Sequence, residues 1–236
     1  MVAKITVITP TYNEARNLPI LVEKIFALKI PNLAMIVVDD NSPDGTGAIA
    51  EELAKKYAIK VIHRVGKLGL GTAYVSAFKM ALSAADKPDF IIQMDADLSH
   101  DPAVIPKLLE KAESCDLVLG SRYIASGHTE NWDPLRKLVS RFGNFYARLV
   151  LGLPYRDLTG GFKCFRRAVL ENLNLDSLSS VGYNFQIETT CRAHQKGYKI
   201  CEVPITFTER RSGKSKFNLK IMLESFWKIL LLRWRR

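Results

Sequence analysis

Residues 90–100 read FIIQMDADLSH. Phe90–Met94 is short and almost wholly apolar, and it stops at Asp95-Ala96-Asp97, so it reads as a buried strand ending on two carboxylates. The pattern recurs on either side. Ile5–Ile8 runs into Pro10-Thr11-Tyr12-Asn13-Glu14, and Met35–Val38 into Asp39-Asp40-Asn41-Ser42-Pro43-Asp44-Gly45-Thr46. Lys60–Ile62 and Leu117–Leu119 are two more strands. Between them Asn17–Leu28, Thr46–Tyr57, Thr72–Ala85 and Pro102–Ala112 carry helical spacing, the last opening on Asp101-Pro102 as N-cap and first helical position. Apolar strands alternating with helices predict an α/β fold: a mostly parallel, Rossmann-like sheet with helices on both faces.

Beyond residue 120 the alternation weakens. Segment 121–137 is polar and reads as a long loop, the kind that in a compact domain usually has a function. A helix over Leu138–Leu151, a TGGFK turn, a helix near Phe185–Lys196 and a strand over Lys199–Phe207 follow. No internal repeat and no linker precede about residue 208, so residues 1–216 read as one domain, followed by a helix over 217–236.

In an open parallel sheet, ligands bind beyond the carboxyl ends of the strands. Acids cluster there after strands one, two and four. If strand four continued, Asp95 and Asp97 would share one face. Two such carboxylates repel unless a proton or cation sits between them, and a hard divalent ion bridging substrate phosphates suits them. A lone Asp-x-Asp is also often just a capped turn. Strand one lacks GxGxxG, and Gly213-Lys214-Ser215 lacks the earlier P-loop glycine, so a diphosphate would need a metal and Arg or Lys instead. His63, His100, His128 and His194 are scattered and read as structural.

The chain has 236 residues, 47% of them hydrophobic and 25% charged, which excludes disordered and fibrous classes. Its net charge is +10. From Pro204 to Arg236 nine Lys or Arg stand against two Glu, which puts +7 of that total in the last 33 residues. Such asymmetry favours an anionic partner. The four cysteines show no metal-binding spacing and read as free thiols in a reducing compartment. The opening MVAKITVITP is a strand rather than a signal peptide, and no apolar run approaches the ~18 residues a membrane span needs.

Six segments together, PTYNE (10–14), VVDDNSPDGT (37–46), MDADLSH (94–100), GSRY (120–123), TGGF (159–162) and RRSGKSK (210–216), resemble the inverting GT-A glycosyltransferases of family 2. More narrowly they resemble the dolichol-phosphate, or polyprenyl-phosphate, mannosyltransferases. The resemblance implies transfer of mannose from GDP-mannose to a membrane polyprenyl phosphate with inversion, aided by a divalent Mg or Mn ion. By motif match, Pro10, Tyr12, Glu14, Val38, Asp40, Asp95 and Ala96 would hold the nucleotide sugar. Asp97 would be the main metal ligand, with Ser99 standing where some relatives carry a second ligand. Arg122, Arg136 and Ser140 would take the acceptor phosphate, Arg210 and Lys216 would close over the diphosphate, and Gln186 would face the donor. Asp97, Arg122 and Arg136 are the catalytic candidates. Asp157 stands where relatives with hydroxyl acceptors place a base, but a phosphate monoester, with a second pKa of roughly 6, is already largely ionised. Asp157 therefore reads as structural or sugar-facing.

Phe217–Trp234 supplies an amphipathic helix. Lys220, Glu224 and Lys228 form one polar stripe, apolar residues including Trp227 and Trp234 cover the rest, and Arg233, Arg235 and Arg236 close it. It is expected to lie in an anionic membrane interface, making the protein peripheral on a cytoplasmic membrane face. A membrane-spanning partner subunit sharing that surface stays open, as does simple packing of the helix on the sheet. UDP-glucose as donor, transfer to a hydroxyl acceptor, and a non-enzymatic membrane- or nucleic-acid-binding module remain the competing readings. A nucleic-acid partner is disfavoured, because the acidic strand ends would repel a phosphate backbone and no aromatic residues line a basic groove.

Overall fold

A computed structural model describes residues 2–178, 182–209 and 219–234. Arg210 and Lys216, together with Arg211, Lys214 and Phe217, lie outside the described residues. The strands are β1 (Ile5–Thr11), β2 (Leu33–Asp39), β3 (Ile59–His63), β4 (Phe90–Gln93), β5 (Leu117–Ser121), β6 (His128–Glu130), β7 (Lys163–Arg166), β8 (Ile200–Pro204) and β9 (Thr206–Thr208). The helices are α1 (Leu18–Ala27), α2 (Thr46–Ala54), α3 (Leu70–Ser83), α4 (Ile105–Ala112), α5 (Pro134–Leu151), α6 (Arg167–Asn172), α7 (Tyr183–Gln195) and α8 (Leu219–Trp234).

Seven strands form one sheet in the order β3-β2-β1-β4-β7-β5-β8. β1, β2, β3 and β4 pair in parallel, as do β5 and β8, while β7 runs antiparallel between β4 and β5. Neighbouring residues of a strand face opposite sides. Val7 and Val37 therefore join α1 and α4 in one core, whereas Ile8 and Ile36 join α3, α6 and Phe185 of α7 in the other. A third cluster unites Ala147 and Leu151 of α5, Ile187 and Cys191 of α7, and Ile229 of α8. The covered, mostly parallel sheet is as the alternation predicted.

Four sequence expectations need correction. The strand carrying FIIQ ends at Gln93, so Asp95 and Asp97 stand in the turn beyond it rather than on one strand face. The polar stretch 121–137 contains β6, which pairs with β9 as a separate two-stranded ribbon. The residues after the TGG turn form β7, whose Lys163 points into a fully buried site and so disguises a central strand. Finally, Cys115 and Cys201 form a disulfide with Cα atoms 6.2 Å apart, leaving Cys164 and Cys191 free and buried. Pairing of β5 with β8 joins two cysteines 86 residues apart, which linear spacing cannot show. Burial pushes the Cys164 thiol up to about 12, so it is unreactive.

Candidate functional site

β1, β2 and β4 are adjacent, so their carboxyl ends gather the acids at one edge. Some of those acids build the edge itself. Asp39 accepts hydrogen bonds from Thr11 Oγ1 at 3.0 Å and Ser42 Oγ at 2.5 Å, and Asp44 accepts from the Thr46 and Ala15 amides. Glu14 accepts from Asn17 Nδ2 at 2.7 Å, and its own amide donates to Thr46. Asp40 is buried and ion-paired at 3.0 Å with Arg64, a cation the motifs had not singled out. Tyr12 is exposed, with Lys67 Nζ 4.3 Å from its ring centre. Pro10 is half-buried, while the Val38 side chain is core, so Val38 can offer a ligand only its backbone.

The Asp95-Ala96-Asp97 turn is held from several sides. Asp97 Oδ1 accepts from the Ser99 amide at 3.1 Å and from Ser99 Oγ at 2.5 Å. Tyr74 donates to Asp95 Oδ1 at 3.3 Å; burial first, then the nearby Asp95 charge, raise its pKa well above the ordinary value, so it remains a donor. His100 Nδ1 accepts from the Asp95 amide at 3.3 Å, which puts the ring proton on Nε2. Burial keeps His100 neutral by lowering its pKa, against the opposing pull of Asp95 and Asp97. Gln186 Oε1 accepts from Gln93 at 2.7 Å, and its buried Nε2 has no hydrogen-bond partner. A Cβ at Gly161 would stand 3.5 Å from both that Nε2 and Asp95 Oδ2, so the glycine leaves an open notch between them.

The donor set suits a hard divalent ion: carboxylates of Asp95 and Asp97 and the hydroxyl of Ser99, all oxygen. Among the described residues no group of three or more His, Cys, Asp or Glu could cage an ion alone. Such an ion would be shared with substrate phosphates, the usual manner of Mg2+.

An aromatic chain links this turn to the arginines. The His100 ring lies 5.2 Å from Phe207, and Phe207 lies 5.4 Å from Trp132. The Arg136 guanidinium stands 4.1 Å from the Trp132 ring centre and that of Arg122 stands 5.5 Å away, so one indole braces both cations. Trp132 was not singled out by the motifs; its place beside Asp133-Pro134, a cap and first helical residue like Asp101-Pro102, was the available clue. Arg136 also pairs with Glu209 at 2.7 Å. Ser140 Oγ accepts from Tyr123 OH at 2.7 Å.

Arg122 is committed to Asp157. Its Nε and Nη2 each donate at 2.7 Å, and its amide donates at 3.0 Å. Burial opposes ionisation of Asp157, but the Arg122 charge and hydrogen bonds outweigh it and hold the carboxyl below its ordinary range. Asn144 of α5 fastens the same turn by accepting from the Leu158 and Thr159 amides.

The structure thus brings Asp95, Ala96, Asp97, Ser99 and Gln186 to one edge and ties it through aromatic rings to Arg122 and Arg136. The glucosyl-3-phosphoglycerate synthase of Mycobacterium tuberculosis, solved with Mn2+, UDP-glucose and phosphoglyceric acid, superposes with a TM-score of 0.68 at 21% identity, covering 98% of this chain and 79% of that one. The same enzyme with Mg2+ and UDP gives 0.68, likewise at 21% identity and with 98% and 79% coverage. Sheet and helices are those of the GT-A fold. The model for Glycosyl transferase family 2 matches residues 6–173, and the chain belongs to that family. A polyprenol monophosphomannose synthase of Mycolicibacterium smegmatis is 42% identical over 226 residues, spanning 94% of this chain and 84% of the relative. An undecaprenyl-phosphate mannosyltransferase of Micrococcus luteus is 40% identical over 232 residues, spanning 98% and 93%. The resemblance drawn from the six motifs is borne out.

Proposed function

We propose that the protein transfers mannose from GDP-mannose to a membrane polyprenyl phosphate, with inversion, giving polyprenyl phosphate mannose and GDP. The supporting observation is that the acidic turn at Asp95–Asp97 and the arginine pair Arg122/Arg136 are joined by the His100–Phe207–Trp132 chain, so donor and acceptor chemistry meet in one site. The names of the two bacterial relatives supply the substrate class.

In this reading Tyr12, Glu14 and Asp40 line the nucleotide end, Asp95 and Gln186 face the donor across Gly161, and Arg210 and Lys216 cover the diphosphate. A divalent Mg or Mn ion held by Asp97 and Ser99 would offset the charge of the departing diphosphate. Arg122, Arg136 and Ser140 orient the acceptor phosphate. One of its oxygens attacks the anomeric carbon opposite the leaving group; the new carbon–oxygen bond forms as the bond to GDP breaks, and configuration inverts. No proton needs to be removed, because the acceptor is already an anion. Asp157, locked under Arg122 and easily kept ionised, positions that arginine rather than acting as a base. The protein works from the cytoplasmic face, with α8 at the membrane surface.

The test is incubation with labelled GDP-mannose or UDP-glucose, polyprenyl phosphate and Mg2+, followed by lipid extraction. Label should enter lipid from GDP-mannose, stop with chelator and return with Mg2+ or Mn2+. Asp97→Ala should abolish transfer while leaving the folded far-UV spectrum intact. Transfer only from UDP-glucose, or full activity of Asp97→Ala in chelator, would overturn the donor or metal assignment respectively.

A further inference from the structure

A second cationic site lies beside the one just described. Between α5 and the loop after β5 is a cavity of about 350 Å³ whose lining includes Arg122, Arg141, Arg148, Arg156, Tyr123 and Phe145, and no acidic residue. Arg122 is neutralised by Asp157 and Arg136 by Glu209, but among the described residues Arg141, Arg148 and Arg156 make no ion pair. Arg148 Nε is buried without a hydrogen-bond partner. Three converging guanidinium groups raise one another's energy, and a donor withdrawn from water costs more still, unless an anion completes the group. Guanidinium forks match phosphate oxygens in pairs.

The cavity opens on an unusual helix face. Leu135, Leu138, Phe142, Phe145 and Leu149 of α5 are all exposed, between 56% and 69%, at alternating spacings of three and four residues. They form one continuous apolar stripe. Arg141 and Arg148 sit within its length, and Trp227 and Trp234 of neighbouring α8 are exposed too, at 64% and 84%. Apolar side chains with basic residues among them suit an anionic membrane surface.

We infer that the Arg141/Arg148/Arg156 cavity binds the phosphate headgroup of an anionic membrane phospholipid, whose acyl chains run along the α5 stripe. It adjoins the acceptor site through the Arg122 wall and through Tyr123 and Asn144, which bond Ser140, and makes no assumption about the sugar transferred.

The test uses the full chain and phosphatidylcholine vesicles with or without phosphatidylglycerol, and no sugar nucleotide or polyprenyl phosphate. Wild type should bind the anionic vesicles. Arg141→Gln/Arg148→Gln/Arg156→Gln should bind them about 100-fold more weakly, as expected for three arginines at such a surface. The charge-matched Lys55→Gln/Lys56→Gln/Lys60→Gln, on the opposite edge of the molecule, should bind normally. If the triple variant unfolds, Arg141→Gln/Arg156→Gln, both exposed, replaces it with a proportionately smaller loss. Equal losses in the arginine and lysine variants, or unchanged binding in both, would overturn the site. Thermal stabilisation by inorganic phosphate that disappears in the arginine variant while vesicle binding persists would assign the cavity to a soluble anion and overturn the lipid reading. A raised KM for a short, detergent-dispersed polyprenyl phosphate would make it part of the acceptor site and overturn its separateness.

Discussion

Asp157 and Arg122 are 6% exposed or less and hold each other through two side-chain bonds and an amide. Removing one member of such a buried pair leaves the other uncompensated, at a cost of about 3–5 kcal/mol. Because the folded pKa of Asp157 lies below its unfolded value of about 3.9, this stability is fully present above that value. It is lost as pH falls through the lower folded pKa. Asp157→Asn should therefore unfold at lower urea concentration than wild type at neutral pH, the gap narrowing in strong acid, and should still transfer sugar at a reduced rate. A variant as stable as wild type yet wholly inactive would show a base and favour a hydroxyl acceptor. Arg122 and Asp97 were legible because motif residues follow strands β5 and β4, and Asp157 because it precedes the TGGF turn. Trp132, Arg64 and Asn144 were not, since an indole against two arginines or an amide capping a distant turn depends on contacts between segments far apart in sequence.

Helices α1 to α5 and α7 and the parallel strands were legible in order and kind because their apolar periods are uninterrupted. β1 and β2 run on to Thr11 and Asp39, beyond the apolar stretches that mark them, and short α6 was not legible. The short ribbon of β6 with β9 was not, having three residues a strand and little apolar content. α8 stood between two readings, membrane interface or packed helix; one of its faces packs on the domain and another is exposed. Phe226 lies 4.6 Å from Tyr146, and Ile229 is buried, while Trp227, Leu231 and Trp234 face outward. Deleting the helix would therefore also uncover Ala147 and Leu151. Trp227→Ser/Trp234→Ser is the cleaner test. Both side chains are exposed, so the melting temperature should hold, whereas binding to anionic vesicles and transfer to long polyprenyl phosphate should fall several-fold. Vesicle binding at wild-type strength would remove the interfacial role of α8.

β7 is the wedge that joins the parallel strands β1 to β4 to the second parallel pair, β5 and β8. It is fastened to α7 by a charge in the interior: Lys163 Nζ donates to Gln186 O at 2.6 Å, Thr190 Oγ1 at 2.9 Å and Thr189 Oγ1 at 3.1 Å. Through Gln186 this joint reaches the edge that carries Gly161 and Asp95. All three ammonium protons are thus used, but among the described residues no carboxylate pairs with them, and burial lowers the Lys163 pKa to about 7, with the Asp157 charge pulling the other way. The unfolded chain holds its proton to a pKa of about 10.4. Between these values the unfolded state binds more protons at this side chain than the folded state, so the Lys163 contribution to stability rises with pH across that window and levels off below about 7. Lys163→Met removes the group that titrates. Urea unfolding of wild type and variant at pH 7, 8, 9 and 10 isolates its share, because every other lysine contributes equally to both. The wild-type advantage should grow with each step, and two parallel curves would mean that Lys163 keeps its proton and that the wedge is held by a permanent charge.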